Sequence, residues 1–518
     1  MTRDAAAIGA GLAPARPARP IPIGQRLHVI GAAGAGASAA ALLAHHAGAL
    51  VSGCDAGGPS PYTPALVEAG IALVWQHSAD HITGAPAPAR VAVTKALTAI
   101  DPDHPELQAA RAAGIELETW QQVVADAAVG RTLVGIAGTH GKSTSAGWLV
   151  HVLVAAGLDP SAFVGALLPS ELTGNLPSTA RWGAGRPFVV EADEYAGNFD
   201  AYRPDIAVLT GAEWDHPDVF ADDAAVIETF VAWLRRGPDG ATAIINVGDR
   251  GGAGVAQRLA DTEQRIVATR LLAGSDADVE AVARGIETRY GTRAGAASPV
   301  VGRIVDTDPD GTIVEVHGLD GEGEPRRVRL ATAGRHNAAN ALGVAAAASA
   351  LGMGGDDIVA ALGTFRGVGR RLERKGEAAG VVVYDDYGHH PTAIRETLLA
   401  VRQREPGRRV WAVYEPLTYH RTAALLPAFA DALATADGVV VADIWAGRDP
   451  DTTVASAAGL AEAVARIRPD IPVEAPGTVE ATADWLAHEV SAGDAVLVMG
   501  GGHSYQIADG LLQRLSEG

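Results

Sequence analysis

The sequence predicts an α/β protein of three domains, each built on a mostly parallel sheet. With 518 residues the chain is too long for one ordinary domain. Short apolar runs alternate with helical patterns along most of it, which is typical of parallel strands connected by helices. Two of these apolar runs lead into glycine-rich segments, over 31–36 and 135–144. Such turns bring the backbone close to a bound anion.

The composition excludes several classes of protein. The formal net charge is −20, which repels a phosphate backbone, so we expect no nucleic-acid partner. The apolar runs, such as the one over 148–156, are too short to cross a bilayer, so we expect no membrane partner. The single cysteine, Cys54, excludes an internal disulfide and, we expect, any Cys-based zinc cluster, which suits a reducing cytoplasm.

The first predicted domain covers residues 23–130 and follows a leader over 1–22. The leader is rich in Ala, Pro and Arg without a continuous apolar core, which predicts disorder rather than a signal peptide. The run LHVI over 27–30, the glycines at 31, 34 and 36, a helix of small residues and a short strand ending at Asp55 indicate a Rossmann-like start. The spacing G-x-x-G-x-G suits a diphosphate-bearing ligand without specifying NAD. The glycines could equally serve only tight packing of strand and helix.

The second predicted domain covers residues 131–366 and contains a phosphate loop. The string GIAGTHGKST over 135–144 lies between an apolar run and a helical pattern over 143–156. Backbone N–H groups of such a loop surround phosphate oxygens, Lys142 supplies positive charge and Ser143 can complete a Mg²⁺ shell. The loop is shorter than the full Walker pattern, because Ile136 stands where a glycine is expected. We therefore predict a P-loop ATPase domain.

Two further residues of this domain are candidate Mg²⁺ ligands. Glu191 ends the apolar run PFVVE, and His216 ends the string EWDH. Because the carboxyl ends of parallel strands meet at one edge of a sheet, both can reach Ser143. Alternating runs over 264–331 predict a small antiparallel part, and an Ala-rich helix follows GRHN over 334–337.

The third predicted domain covers residues 367–518 and is again Rossmann-like. Apolar runs over 381–384, 409–413, 438–442 and 495–499 alternate with helices that we predict over 391–402 and 423–434. The pattern predicts a second doubly wound sheet at the end of the chain.

Six ordered motifs resemble those of the ATP-dependent Mur ligases. They are GTHGKST at 138–144, EADE at 191–194, EWDH at 213–216, GRHN at 334–337 with Asn340, GRR at 369–371, and DDYGHHP at 385–391. The resemblance implies an N-terminal domain for a UDP-sugar, a central ATPase and a C-terminal domain that brings the amino acid. It further implies a cytoplasmic enzyme of peptidoglycan precursor synthesis, acting as a monomer or homodimer with ATP and Mg²⁺. The implied reaction joins L-alanine to the lactyl carboxylate of UDP-N-acetylmuramate through an acyl phosphate.

The resemblance also implies a role for particular residues. The predicted catalytic residues are Lys142, Glu191, His216, His389 and Arg421, and the metal ligands are Ser143, Glu191 and His216. The predicted ATP-binding residues are Gly138, Thr139, His140, Gly141, Lys142, Ser143, Thr144, His336, Asn337, Asn340, Arg371 and Asp386. The predicted substrate-binding residues are Gly31, Gly34, Gly36, Asp55, Thr179, Arg181, Tyr387, His389 and Arg421. His389 is a candidate proton acceptor, and a purely hydrogen-bonding role is the alternative.

Two departures from the family pattern leave the acceptor amine open. Leu417 replaces a histidine ahead of Arg421, and Tyr195 follows EADE at a place where relatives that recycle murein peptides also carry tyrosine. A related ligase that attaches a murein peptide or another amino acid is therefore the second hypothesis. The third is a non-catalytic nucleotide-binding relative. Retention of Lys142, Glu191, His216 and Arg421 disfavours it, because a pure binder needs no metal ligands beside an acceptor site.

Overall fold

Three sheets follow one another along the chain in the computed structural model. The structure describes residues 8–260, 264–274, 278–290, 298–319, 323–447, 449 and 451–517. The sheets have five, ten and six strands, and each lies within one of the three segments predicted from the sequence. The prediction of an α/β fold with mostly parallel sheets is confirmed. No helix within the described ranges has both the length and the apolar character to cross a membrane.

The N-terminal sheet is entirely parallel, in the order β3-β2-β1-β4-β5. Its strands are β1 Arg26–Ile30, β2 Leu50–Cys54, β3 Ala72–Val74, β4 Arg90–Val93 and β5 Glu116–Thr119. Its helices are α1 Ala35–His46, α2 Pro64–Glu68, α3 Asp80–Thr83, α4 Lys95–Ile100, α5 Pro105–Ala112 and α6 Trp120–Ala127. The strand order reverses between β1 and β4, and the glycine turn leaves β1 at this point. In open α/β sheets such a reversal forms the ligand crevice.

The expected disorder of the leader does not hold for residues 8–22. The Arg16 guanidinium lies 2.7 Å from Asp126 and 3.1 Å from Glu118, and both carboxylates are buried. The backbone N–H of Ala13 donates to the Leu117 carbonyl at 2.8 Å. Composition missed this attachment because it depends on carboxylates about a hundred residues away. The first seven residues of the predicted leader lie outside the described residues.

The central sheet has the order β15-β14-β13-β12-β11-β10-β6-β9-β7-β8. Its strands are β6 Thr132–Ala137, β7 Ser161–Leu168, β8 Ser178–Arg181, β9 Pro187–Glu191, β10 Ile206–Leu209, β11 Thr242–Asn246, β12 Arg265–Leu272, β13 Val300–Asp308, β14 Gly311–His317 and β15 Arg326–Leu330. Its helices are α7 Lys142–Ala155, α8 Ser170–Thr173, α9 Asp223–Leu234, α10 Arg250–Leu259, α11 Val279–Tyr290, α12 Arg335–Ala350 and α13 Gly355–Leu362, with a 3₁₀ helix at Tyr195–Ala201. Strand β6 carries the phosphate loop at its carboxyl end, between β10 and β9.

The predicted antiparallel part is smaller than its predicted range of 264–331. Among the described residues of this range, only β13, β14 and β15 pair antiparallel, whereas β12 lies parallel to both β11 and β13. Helix α11 connects β12 to β13 and buries Val279, Ile286 and Tyr290. These apolar residues recur seven and four positions apart, which is helical spacing that the turn signals around them obscured. A second antiparallel pair, β7 with β8, was not predicted.

The C-terminal sheet has the order β16-β17-β21-β18-β19-β20, with β16 as its antiparallel edge. Its strands are β16 Glu373–Ala378, β17 Val381–Asp386, β18 Arg409–Glu415, β19 Gly438–Ala442, β20 Val473–Gly477 and β21 Asp494–Gly500. Its helices are α14 Pro391–Arg404, α15 Tyr419–Ala424, α16 Leu426–Leu433, α17 Ala457–Ile467, α18 Val479–Glu489 and α19 Ser504–Glu517. The helix predicted over 423–434 is present as α16 but begins only at Leu426, because the chain breaks at Leu425. Pro427 explains the break, since its ring would clash with a carbonyl of the preceding turn.

Candidate active site

The phosphate loop closes tightly between β6 and α7. Gly138 and Gly141 have φ of 131° and 78°, which a side chain rarely adopts. A Cβ on Gly141 would lie 2.6 Å from the Asn340 Oδ1 atom, and one on Gly138 would lie 2.2 Å from the Thr210 Oγ1 atom. Both glycines are therefore required by the backbone conformation and by the space. Lys142 and Ser143 follow at once in the first turn of α7, where the helix dipole favours anions.

Lys142 is held against the loop and a buried carboxylate. Its Nζ donates to the Gly138 carbonyl at 2.7 Å and to Glu194 Oε2 at 3.0 Å. Burial lowers the pKa of Lys142, but the negative charges of Glu194, Asp193 and Glu191 outweigh it and hold the pKa above its ordinary value. The ammonium is therefore charged, and a phosphate that draws it away from Glu194 must supply compensating negative charge.

Ser143 and Glu191 form the pair that the sequence predicted at the ends of neighbouring elements. The Ser143 hydroxyl donates to Glu191 Oε1 at 2.9 Å, and Gly165 N–H donates to Glu191 Oε2 at 2.6 Å. An Nη2 of Arg371, from the C-terminal domain, donates to the same hydroxyl at 2.9 Å. The Arg371 guanidinium thus places positive charge beside the oxygens of Ser143 and Glu191. Hydroxyl and carboxylate oxygens are also the hard ligands that Mg²⁺ prefers.

His216 groups with acidic residues that were not predicted as ligands. Its ring nitrogen and the carboxylates of Asp193 and Glu194 lie within 4.8 Å of one another. His216 has a φ of 55°, which is strained for a residue other than glycine. Such strained backbone conformations cluster at binding sites. The oxygen donors of Ser143 and Glu191 fit Mg²⁺, and Asp193, Glu194 and His216 enlarge the set of possible ligands.

Arg421 lies buried opposite the phosphate loop, at the start of the C-terminal domain's α15. Its Nη2 lies 2.9 Å from both Asp215 Oδ1 and His216 Nδ1. Its Nε is buried and has no hydrogen-bond partner among the residues that the structure describes. Burial raises the pKa of Asp215, but the nearby His216 and Arg421 outweigh it and hold that pKa well below its usual range. The guanidinium therefore retains a donor, Nε, that a carboxylate could accept from.

His389 is neutral and positioned to accept a proton. Burial and the charge of Arg421 hold its pKa well below the usual range. Its Nδ1 lies 3.0 Å from the Tyr387 carbonyl and donates there, so the lone pair is on Nε2. That atom lies 3.9 Å from Asp215 Oδ2. The ring therefore stands beside Arg421 with a free acceptor.

A second group of side chains joins the two domains behind this site. Glu213 accepts from Thr392 Oγ1 at 2.7 Å and contacts His140 Nε2 at 2.9 Å. His390 Nε2 lies 3.2 Å from the Trp214 carbonyl. Burial raises the pKa of Glu213, but its contacts with His140, His390 and Thr392 lower it to about 2. The phosphate-loop histidine is thus connected to the first turn of α14.

The residues predicted to contact adenosine lie along the same cleft. His336, Asn337 and Asn340 are in the first two turns of α12, and Asn340 packs against Gly141. Asn337 Nδ2 donates to the Ala333 carbonyl at 2.8 Å. Both Asp386 oxygens accept backbone N–H groups at 2.7 Å, one from Leu372 and one from Gly388. Asp386 therefore also holds the entry to β16 and the turn after β17.

The structure separates the residues predicted to bind the sugar nucleotide. Gly34, Gly36 and Asp55 line the same cleft, of about 2290 Å³, as the phosphate loop and Arg421, whereas Gly31, Thr179 and Arg181 do not line it. The Arg181 guanidinium donates to Asp159 at 2.7 Å and to the Leu172 carbonyl at 2.7 Å. The resemblance implied a substrate contact for Arg181, whereas the described geometry gives it bonds that tie β8 to neighbouring loops.

Comparison with known proteins agrees with the motifs. The model of the Mur ligase family catalytic domain matches residues 26–132, that of the Mur ligase middle domain matches 136–348, and that of the Mur ligase glutamate ligase domain matches 370–502. The chain belongs to the Mur ligase family. The resemblance inferred from six motifs is confirmed.

Curated relatives cover nearly the whole of this Mur ligase. A UDP-N-acetylmuramate–L-alanine ligase of Frankia casuarinae is 36% identical over 95% of this chain and 98% of its own length. One of Kineococcus radiotolerans is 37% identical over 95% of this chain and 96% of its own length. A solved UDP-N-acetylmuramate–alanine ligase from Thermotoga maritima is 21% identical and a murein peptide ligase from Psychrobacter arcticus 24%. Their TM-scores are 0.74 and 0.68, each over 95% of this chain and 99% of the other, which shows a shared fold.

Sequence reasoning on this Mur ligase missed three acidic residues of the site. Asp215 pairs with Arg421, Glu194 pairs with Lys142, and Asp193 groups with His216. All three stand inside strings already singled out, EADE and EWDH. The two motifs were recognised in the sequence, but which of their carboxylates faces the cleft depends on the turn that follows each strand.

Proposed function

We propose that this Mur ligase joins L-alanine to the lactyl carboxylate of UDP-N-acetylmuramate, converting ATP to ADP and phosphate. The observation that carries the proposal is one cleft in which the phosphate loop of the central domain faces Arg421 and His389 of the C-terminal domain. The names of curated relatives that cover this chain almost completely favour the same substrates.

In the first step the lactyl carboxylate attacks the γ-phosphorus of ATP, and the bond to the β-phosphate oxygen breaks, giving ADP and an acyl phosphate. Lys142 binds the β and γ phosphate oxygens and offsets the repulsion between two anions. Ser143 and Glu191, with His216, would hold Mg²⁺, which when bound neutralises further phosphate charge. The glycine turn with Gly34, Gly36 and Asp55 holds the sugar nucleotide at the other side of the cleft.

In the second step the alanine amine attacks the acyl carbonyl, and the tetrahedral species then expels phosphate. Arg421 binds the alanine carboxylate through its guanidinium, whose Nε has no partner among the described residues. His389 Nε2 accepts the proton that the amine loses, because its Nδ1 is already committed to the Tyr387 carbonyl and Nε2 carries the lone pair. No covalent bond to the enzyme is formed.

The wall of the cleft near Arg421 favours a larger amine, such as a murein peptide, as the second candidate substrate. Leu417 and Trp445 flank the cleft near Arg421, and Trp445 is 37% exposed. Tyr195 donates to Asp218 at 2.9 Å and packs against the His216 ring. An apolar, partly open wall offers contact to a peptide as readily as to a methyl group.

The test is ATP-dependent phosphate release with UDP-N-acetylmuramate and, in separate reactions, alanine, glycine, serine or murein tripeptide. We expect release with alanine at a kcat/KM well above the others, and none without the sugar nucleotide. Release only with tripeptide would establish the second candidate. Release with no amine in this panel would refute the ligase proposal.

A further inference from the structure

A second cluster of metal-ligating side chains lies in the N-terminal domain, outside the residues that line the cleft. It consists of His28 in β1, Cys54 at the end of β2, His81 in α3 and Glu106 in the first turn of α5. One potential ligand atom from each lies within 4.8 Å of the other three. Cys54 and Glu106 are fully buried, and His28 is 2% exposed.

The four ligand atoms converge on one point. The Cys54 Sγ lies 3.1 Å from Glu106 Oε2, and His81 Nδ1 lies 2.8 Å from Glu106 Oε1. His28 Nε2 lies 3.6 Å from Glu106 Oε2. Ligands around a tetrahedral Zn²⁺ are about 3.3–3.8 Å apart, given metal–ligand bonds of about 2.0–2.3 Å. The cluster therefore needs only small side-chain adjustments to enclose an ion.

His28 is oriented toward the cluster but lacks a hydrogen bond there. Its Nδ1 lies 2.9 Å from Ser52 Oγ, which turns the opposite nitrogen inward. That nitrogen, Nε2, is buried without a hydrogen-bond partner in the described part of the chain. A histidine whose second nitrogen is held by an outer polar group is the usual arrangement of a metal ligand.

The charges of the cluster also call for a cation. Glu106 is fully buried, and its carboxylate accepts the Ser78 backbone N–H at 2.9 Å and lies 3.1–3.2 Å from the Cys54 Sγ. Within the described ranges, Glu106 lies within ion-pair distance of His28, His77 and His81 but of no Arg or Lys. A buried carboxylate without a fixed positive partner is costly.

We propose that His28, Cys54, His81 and Glu106 bind one Zn²⁺ ion. The thiolate, two imidazoles and one carboxylate form a closed four-ligand set of the structural type, and their two negative charges balance the ion. Binding releases the Cys54 thiol proton to solvent. A single cysteine, expected from sequence to exclude such a site, suffices when His and Glu complete the set.

The ion would connect elements that are too short to be stable alone. Helix α3 has four residues and α5 has eight, and neither length is sufficient for an isolated helix in water. Zn²⁺ would tie both to the strands β1 and β2, beneath the turn that we assign to the sugar nucleotide. Its role is therefore structural and separate from ligation.

The test uses the full chain, stripped with a chelator and titrated with Co²⁺ and then Zn²⁺. We expect one equivalent of Co²⁺ with a thiolate charge-transfer band in the near ultraviolet, which Zn²⁺ removes. This band distinguishes the cluster from the carboxylates near Lys142, because Cys54 is the only thiol in the chain. Absence of the band would overturn the proposal even if the enzyme ligates normally.

Variants test the ligands individually. Cys54→Ser should abolish the band and weaken Zn²⁺ binding by at least roughly 100-fold, and Ser52→Ala, which keeps all four ligands, should weaken it by about 10-fold. His45→Ala, at the end of α1 in the same domain, is the matched control and should bind one equivalent unchanged. Circular dichroism checks folding, and Ser52→Ala remains informative if Cys54→Ser fails to fold. Undiminished affinity in both variants would also overturn the proposal.

Discussion

Replacing Lys142 by alanine tests two roles of this residue, its ion pair with Glu194 and its contact with the phosphates of ATP. The variant leaves Glu194, whose side chain is 2% exposed, without the ammonium that lies 3.0 Å away. The protein can avoid a buried unpaired charge by protonating this carboxylate. At pH 7, starting from the ordinary value of 4.5, that costs about 3 kcal/mol, since each pH unit corresponds to about 1.4 kcal/mol. Because burial already raises the pKa of Glu194, this figure is an upper bound.

A second variant separates stability from catalysis. Lys142→Ala should lower the free energy of unfolding by up to about 3 kcal/mol and lower turnover by at least about 100- to 1000-fold, the usual cost of one transition-state contact. Lys142→Ala/Glu194→Gln, which removes both charges, should recover most of the stability and none of the turnover.

Urea unfolding followed by tryptophan fluorescence measures stability, and phosphate release from ATP measures turnover. Equal unfolding free energies for the single and double variants would refute the ion-pair argument. Recovery of phosphate release in the double variant would refute the assignment of Lys142 to the phosphates.

Three further predictions follow from the same geometry. Arg421→Lys keeps the charge but loses the planar guanidinium, so the KM for the amino acid should rise about 10- to 100-fold with little change in the KM for ATP; equal effects on both would contradict the assignment. Gly141→Ala should weaken ATP binding far more than Gly157→Ala, because both have positive φ but a Cβ on Gly157 meets open space; equal nucleotide affinities would exclude the steric argument. Burial and the neighbouring His140 lower the pKa of His390 to about 4, so its contribution to stability is present above the unfolded value of 6.5 and is lost as pH falls toward 4. Between pH 7 and pH 5 this amounts to about 2 kcal/mol, and His390→Asn, which retains a helix-capping side chain, should reduce the difference in unfolding free energy by that amount.

The sequence could predict those site residues whose positions follow from a neighbouring turn or strand end. Lys142 and Ser143 follow a glycine turn, and Glu191 ends a parallel strand beside it, so their meeting follows from strand order alone. Arg181, for which the family resemblance implied a substrate contact, forms bonds of a different kind. Its bonds go to loops that pack against β8, and nothing in its own neighbourhood of the sequence indicates them.

The remaining differences come from contacts between distant segments. Residues 8–22 were expected to be disordered because their composition resembles a linker, yet Arg16 pairs with carboxylates on β5 and α6. The proposed zinc ligands also come together only in the folded chain, since His28 and Glu106 lie 78 positions apart in the sequence. Tertiary pairing of charges carries no local periodicity, so a pattern search along the chain does not detect it.

The links from Thr392 to Glu213 and from Arg421 to Asp215 join the C-terminal domain to the central domain, which we propose bind the amino acid and the nucleotide. We expect a ligand that tightens either link to change the free energy of binding on the other side of the cleft as well. Thermodynamic reciprocity then requires that the factor by which nucleotide strengthens amino-acid binding equals the factor by which the amino acid strengthens nucleotide binding. This interdomain hydrogen bond and ion pair thus predict that any coupling between the two substrates has the same size in either direction.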